Sequence, residues 1–267
     1  MKRDPFFWGG AIFLTLLVLA AIIVPETGFD YDDVAGAPLM PPGGVAPLGT
    51  DEIGRDIFTR LCYGARISLM IGVVVQAIAI FIGVLVGVTA VFTPRWVSTP
   101  LMRFTDGMFA FPDILLAVLI IGVWSMGTLP VIVALSITAW PAVARLVFTQ
   151  GASLKDREFV VAAKAMGARP AYLVVKHIIP QLVGILMAIA MVNLAMTILA
   201  ESTLSFLGIG VQAPEPSWGS MINNARAYLQ SQPMLLFFPC LLLSLTIFAL
   251  NFVGDGLREM LDPKRRR

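Results

Sequence analysis

The sequence predicts an all-α polytopic membrane protein with six transmembrane helices, on three observations. The first is composition: of 267 residues, 58% are hydrophobic and 13% charged, with a mean hydropathy of +0.85, which excludes an ordinary soluble domain. The second is a set of six apolar runs near 7–24, 67–92, 108–127, 129–149, 178–200 and 234–253, each close to or above the ~20 helical residues that cross a bilayer core. The third is charge placement. With the N-terminus inside, 15 of the 19 Lys and Arg fall on the inner side, and only Arg55, Arg60, Arg66 and Arg226 fall outside, the asymmetry expected of cytoplasmic loops. Both termini are therefore expected in the cytoplasm.

Lys2 and Arg3 precede the first run as in a secretion signal. The run is too long for one, however, and Val24-Pro25-Glu26-Thr27 ends it without a small-x-small cleavage pattern, so it is expected to be a retained span. Pro25 to Arg66 is rich in Pro and Gly and acidic at its start (Glu26, Asp30, Asp32, Asp33), which predicts an irregular outer loop. Thr50 or Asp51 is expected to cap a helix leading into the second span, with Asp51, Arg55 and Asp56 pairing to hold the loop. Cys62 and Cys240 are too far separated in this layout to form a disulfide, and read as apolar fillers.

Gly83 and Gly87 have the spacing that permits close helix crossing in lipid. Residues 93–104 read as a short cytoplasmic link. Arg103 and Asp106, three apart, suit an intrahelical ion pair. Pro112 and Pro141 interrupt spans three and four and favour kinks. Polar residues at depth usually face protein or water, which makes Gln76, Asn193, Glu201 and Asn251 candidates for lining a pathway; an interhelical hydrogen bond is the plainer role for each. Glu201 opens a stretch too broken by Gly208, Gly210, Pro214 and Pro216 to span. Trp218 within it reads as an interfacial anchor.

The longest charged segment between apolar runs is Ser153–Pro180, SLKDREFVVAAKAMGARPAYLVVKHIIP. Ser153 and Asp156 have capping-box spacing. Phe159, Ala162, Ala163 and Met166 recur at i, i+3, i+4 and i+7, which puts them on one face. Gly167 suits a left-handed C-terminal position and Pro170 the first turn of a following helix. A short helix with such a stripe and small residues at its centre predicts a docking element for a soluble partner; an amphipathic connector lying on the membrane is the alternative.

Ala162-Ala163, Gly167 after three residues, and the closing Ile178-Ile179-Pro180 resemble the "EAA" loop of ABC importer permeases. Val161 stands where that family often has Glu, with Glu158 one turn earlier, and His177 and Ile179 stand where Ile and Leu are common. Two further stretches are similar to the C-type permease subunit of dipeptide, oligopeptide and nickel importers: PLGTDEIGRDIFTRLCYGARISL (residues 47–69) and SFLGIGVQAPEPSWG (residues 205–219). The ending Gly254-Asp255-Gly256-Leu257-Arg258-Glu259, then Leu261-Asp262-Pro263, resembles that family as well.

The resemblance implies the type I ABC importer permease fold, in two parts. Residues 1–66 would form an N-terminal transmembrane helix and outer loop, and 67–267 the importer transmembrane domain, with a cytoplasmic coupling loop at 153–177. It implies that Glu158, Phe159, Ala162, Ala163, Met166, Gly167 and Ala168 couple to an ATPase. The expected partners are a B-type permease subunit in a heterodimer, two ABC ATPase subunits, an extracytoplasmic solute-binding protein and membrane lipid, in a bacterial inner membrane. The implied solute is a short peptide, or in the same architecture a nickel complex or glutathione.

Absences agree. There is no G-x-x-x-x-G-K-[ST] loop, so ATP and magnesium are expected in partner chains and no cofactor or metal in this one. A single histidine, His177, argues against a His-based metal or Ser–His site. No basic, aromatic-interleaved patch suggests nucleic acid. An ATP-independent secondary carrier is the alternative from another class; it would be expected to show internal repeats, and none is evident.

Overall fold

The computed structural model describes residues 5–27 and 30–261. The basic residues Lys2, Arg3 and Lys264–Arg267 of the charge pattern lie outside the described residues, as do Asp262 and Pro263 of the ending. The described chain is helical, with only isolated β-bridges in the 30–56 loop. Its elements are α1 (Pro5–Thr27), α2 (Ile57–Phe92), α3 (Arg95–Met108), α4 (Asp113–Trp124), α5 (Thr128–Lys155), α6 (Glu158–Ala165) and α7 (Pro170–Leu173). A π-helical turn (Val174–Ile178), α8 (Ile179–Phe206), α9 (Trp218–Ala225) and α10 (Met234–Leu261) follow. Five helices among the described residues are long and apolar enough to cross a membrane, and a sixth span exists if α3 and α4 are taken together.

Contacts between helices settle their directions. Gly83, Gly87 and Gly151 mark the seam of α2 and α5: Gly83 faces Val143, Gly87 faces Val147, and Gly151 faces Val91. Residue numbers rise together along this seam, so α2 and α5 run parallel. The chain must therefore return between them, and only α3 and α4 can carry it. By contrast, Ser68 meets Glu201, and Gln76 meets Thr197, so α8 is antiparallel to α2. Gly10 packs on Ala249, and Gly256 on Phe7, so α1 is antiparallel to α10. Six alternating crossings result.

The seam explains the two α2 glycines. A Cβ at Gly83 would lie 2.5 Å from Val143 Cβ, and one at Gly87 would lie 2.7 Å from the Ala144 carbonyl oxygen. Without a hydrophobic driving force between helices in lipid, close backbone approach supplies the dispersion contact that holds them. The lipid-facing sides are apolar, as in α1, where Ile12, Leu16, Leu19 and Ile23 are exposed while Gly10, Leu17 and Ala21 face inward.

The third span, expected over 108–127 with an interruption at Pro112, is broken there outright rather than only kinked. α4 starts at Asp113 and has 12 residues, about 18 Å of helix against a core of about 30 Å. Before it the chain breaks over 109–112 and bends by 88° into α3. Pro112 causes this: it is the extended residue ahead of α4 (ψ 123°), with no N–H to continue an earlier helix. The expected link over 93–104 is thus largely helix α3, and Asp106 pairs with Arg145 of α5 rather than with Arg103. Pro141, in contrast, lies inside an unbroken α5.

Candidate functional site

Three regions hold the polar and exposed groups: an ordered loop at one end of the bundle, a cavity at mid-depth, and a helical knuckle at the other end.

The loop over 30–56 is built around Asp51 and Arg55. Asp51 accepts from the backbone N–H of Ile53 (3.0 Å) and Arg55 (2.9 Å) and from Arg55 Nε (2.7 Å). Arg55 also reaches Asp32 at 3.1 Å, and Arg60 lies 3.4 Å from Asp51. Arg60 donates to the Tyr31 carbonyl at 2.8 Å. The expected pairing of Asp51 with Arg55 is present, but Asp56 takes another part. Its carboxylate accepts from the Thr59 N–H (2.8 Å) and hydroxyl (2.7 Å) and caps α2, so neither Thr50 nor Asp51 is the cap. Thr50 instead donates to the Ala37 carbonyl and accepts from the Met40 N–H. Gly54, at φ 90°, makes the turn that a side chain would resist.

The broken stretch after α8 closes onto the same end. Glu201 lies inside α8, fully buried, and accepts hydrogen bonds from Ser68 (2.9 Å), Ser205 (2.8 Å) and Ser202 (3.4 Å). Ser205 in turn accepts from the Val211 N–H, so one carboxyl joins α2, α8 and the following loop. Trp218 is not an interfacial anchor. It is fully buried and donates from Nε1 to the Leu61 carbonyl at 3.1 Å, beside Gly64. Cys62 is buried and Cys240 partly so, and both are free thiols.

At mid-depth, α2, α4, α5 and α8 line an open cavity of about 260 Å³, with Phe109 at its edge. Gln76 and Asn193 line it, with Asp113, Thr138, Met196 and Thr197. Thr138 is ten residues into α5, about 15 Å along its axis, half the thickness of a hydrocarbon core. Gln76 is 5% exposed and donates to Thr197 Oγ1 (2.7 Å) and to the Asn193 carbonyl (3.4 Å). Glu201 and Asn251 are not on this wall; Asn251 donates to the Ile247 carbonyl of its own helix. Asp113 was the missed residue. An acid between apolar runs is a functional-site hypothesis by default, and that signal was present in the sequence.

At the opposite end, α5 continues through Ser153 to Lys155, so Ser153 and Asp156 form no capping box. α6 starts after Arg157 with no side-chain cap. It ends as the glycine pattern requires. Gly167, at φ 86°, donates to the Lys164 carbonyl (3.0 Å), and Ala168 donates to the Ala163 carbonyl (3.1 Å), which is a Schellman motif. Pro170 opens α7.

The predicted stripe is split. Ala163 faces inward with Val160, packed among Val143, Val147, Leu173, Ile178 and Leu182, with Ala168 at the edge. Phe159, Ala162 and Met166 are exposed, Met166 at 83%, and so are Glu158 and Gly167. The inner side of so short a helix is set by Val160 and Ala163 at i, i+3, a pair the periodicity reading passed over. Lys155 ties the base of α5 to α2 by donating to the Val91 carbonyl at 2.8 Å. His177 sits between the rings of Phe159 (6.0 Å) and Tyr172 (5.7 Å).

A multi-pass helical membrane protein with an ordered loop at one end, a mid-depth cavity and an apolar knuckle at the other end has the parts of a transport subunit. Residues 79–267 match the family described as the binding-protein-dependent transport system inner membrane component. The dipeptide transport system permease protein DppC of Alkalihalophilus pseudofirmus is 36% identical over all of this chain and 88% of its own length. The oligopeptide transport system permease protein OppC of Bacillus subtilis is 38% identical over 97% of this chain and 85% of its own. The glutathione transport system permease protein GsiD of Escherichia coli is 40% identical over 98% and 88%. In fold, the chain is similar to the MetNI methionine ABC transporter in inward-facing conformations. That structure is matched over 76% of this chain and 96% of its own, with a TM-score of 0.63 at 22% identity. The chain belongs to the binding-protein-dependent inner-membrane family of ABC importer permeases, in the branch of the C-type peptide-system subunits.

Proposed function

We propose that this chain forms half of the translocation path of an ATP-driven importer of short peptides and transmits the work of two cytoplasmic ATPases to it. The observation that carries the coupling is the uncovered apolar face of Phe159, Ala162 and Met166, held by a buried inner side at the base of α5 and α8. In this reading the knuckle at 153–177 is cytoplasmic, and Glu158, Phe159, Ala162, Met166 and Gly167 meet the ATPase. Ala163 and Ala168 fix the knuckle to the bundle. Closure of the ATPases would push this rigid piece and tilt α5 and α8, switching access to the cavity; differential contact with two ATPase states supplies the work.

A B-type permease completes the path, an extracytoplasmic binding protein delivers solute to the 30–56 loop, and both termini are cytoplasmic. Residues 1–66 add a helix and loop to an importer domain at 67–267. ATP and magnesium belong to the partner chains, and this chain catalyses no reaction of its own. Peptide is favoured as solute by the similarity to DppC and OppC. Glutathione, itself a tripeptide, is a second reading, favoured by the 40% identity to GsiD.

The test is transport by the reconstituted complex. Met166→Glu is expected to abolish peptide-stimulated ATP hydrolysis while leaving the permease folded. Uptake by the purified chain without any ATPase would overturn the reading in favour of a secondary carrier.

A further inference from the structure

We propose that the mid-depth cavity seats a protonated amine, with the Asp113 carboxylate holding the N-terminal ammonium of a peptide in transit. The inference rests on the peptide-import reading and names the chemistry of its passage.

Four observations converge on the cavity. Asp113 is exposed on its wall and makes no hydrogen bond or ion pair among the described residues. No Lys, Arg or His among the described residues shares that wall, so the carboxylate meets none of their cations there. Gln76 supplies a second free acceptor. Its Nε2 is committed to Thr197 and the Asn193 carbonyl, while the buried Oε1 has no hydrogen-bond partner among the described residues. A buried amide oxygen left unpaired is costly; with almost no accessible surface of its own, it would be satisfied by a donor-rich ligand once the Gln76 amide turns toward the cavity. Finally, the break between α3 and α4 adjoins the cavity through Phe109 and Asp113. Non-helical backbone at such depth is tolerated where it lines a cavity, and broken helices mark substrate sites in other transporters.

The chemistry selects among ligands. A carboxylate and an orphan amide oxygen favour a group that carries positive charge and several N–H donors. A peptide's free amino end has both, and the peptide bond that follows offers a donor and an acceptor to the Asn193 amide. At about 260 Å³ the space lies below the common range of about 300–1,000 Å³ for small-molecule pockets. It suits the end of a peptide better than a whole one.

The test uses the complete importer with Cys62 and Cys240 replaced by alanine and Thr138→Cys as a reporter on the cavity wall. The rate of maleimide labelling is read with Ala-Ala-Ala, with N-acetyl-Ala-Ala-Ala, and with sodium chloride at the same concentration. The free-amine peptide is expected to slow labelling at least fivefold and the other two to leave it unchanged. Asp113→Asn should erase the protection, and Asp113→Glu should keep part of it. Equal protection by both peptides, protection by sodium chloride, or protection that survives Asp113→Asn would each overturn the amine seat. If Asp113→Asn does not assemble, the comparison of the two peptides on the Asp113-containing complex still decides. ATP-driven uptake of Ala-Ala-Ala is measured in parallel: uptake without amine-selective protection overturns this site alone, whereas no uptake of any peptide overturns the import reading and the site with it.

Discussion

At Glu201 three serine hydroxyls converge on one buried carboxyl, and the hydroxyl of Ser205 also receives the Val211 N–H. Glu201→Leu would leave these hydroxyls without their acceptor, at about 1–3 kcal/mol for each buried group left unsatisfied. Glu201→Gln keeps an amide oxygen and should cost less. The expected order of thermal stability in detergent is wild type, then Glu201→Gln, then Glu201→Leu; equal stability of the two variants would remove the serine cage from the account. Met166 presents the opposite case, at 83% exposure. Met166→Glu should leave subunit stability within about 0.5 kcal/mol, as surface changes do. A charge trapped in an apolar interface without a partner costs several kcal/mol, hence at least a hundredfold in affinity, measured by co-purification of the ATPases. Charge at Ala163 would be a poorer probe, because that residue is buried and its substitution would damage the knuckle itself. Sequence periodicity could place 159, 162, 163 and 166 on a shared side. It could not say which edge of that side faces the bundle, because that depends on where α5 and α8 end.

Among the elements, α2 and α5 test the seam most directly. Gly83→Val and Gly87→Val would each push a branched side chain into Val143 or Val147, and overpacking of this kind costs about 1–3 kcal/mol. Gly107→Val in α3, where a Cβ would meet nothing within 4 Å, provides the control. Thermal unfolding of the three variants should separate the first two from the third; equal midpoints would argue against the parallel seam. The glycine spacing was legible in the sequence, but its partner was not, since GxxxG names no opposite helix. The 30–56 loop was legible at Asp51 and Arg55 and obscure at Asp56, because Thr50, Asp51 and Asp56 are all capping side chains and only the placed backbone chooses among them. Arg55→Met would take from the buried Asp51 its nearest cation and leave it Arg60 and two backbone N–H groups, so the loss should stay below the ~3–5 kcal/mol of a buried charge left without compensation. The expected sign is faster proteolysis within residues 30–56 with α2 intact; an unchanged digestion rate would mean that Thr50 and the turn glycines suffice. At the third span the interruption by Pro112 was legible, but the 88° bend was not, because a missing N–H ends a helix without setting the direction of the one before it.

For the whole molecule, the parallel run of α2 and α5 decides how many times the chain crosses. Six crossings put the two ends of the bundle in fixed opposition: α6 and the base of α5 at one, the 30–56 loop and α9 at the other. Which end faces the cytoplasm is to be sought in charge and not in packing, because the helices pack alike whichever end is inside. Lys155, Arg157, Lys164, Arg169 and Lys176 gather around the knuckle, while Asp30, Asp32, Asp33, Asp51 and Glu52 gather in the loop. Basic residues near span ends are retained on the cytoplasmic side during insertion, whereas acids contribute little, so the knuckle end is expected inside. The assignment can be measured on single cysteines in a background without Cys62 and Cys240. Ala165→Cys and Val45→Cys both occupy exposed positions, so neither substitution should disturb packing. In intact cells a membrane-impermeant maleimide should label Val45→Cys and spare Ala165→Cys. In inside-out vesicles the pattern should reverse. Labelling of Ala165→Cys from outside would put the apolar face of Phe159, Ala162 and Met166 beyond the reach of any cytoplasmic ATPase. Coupling through the knuckle would then be impossible, however well its geometry suits a docking partner.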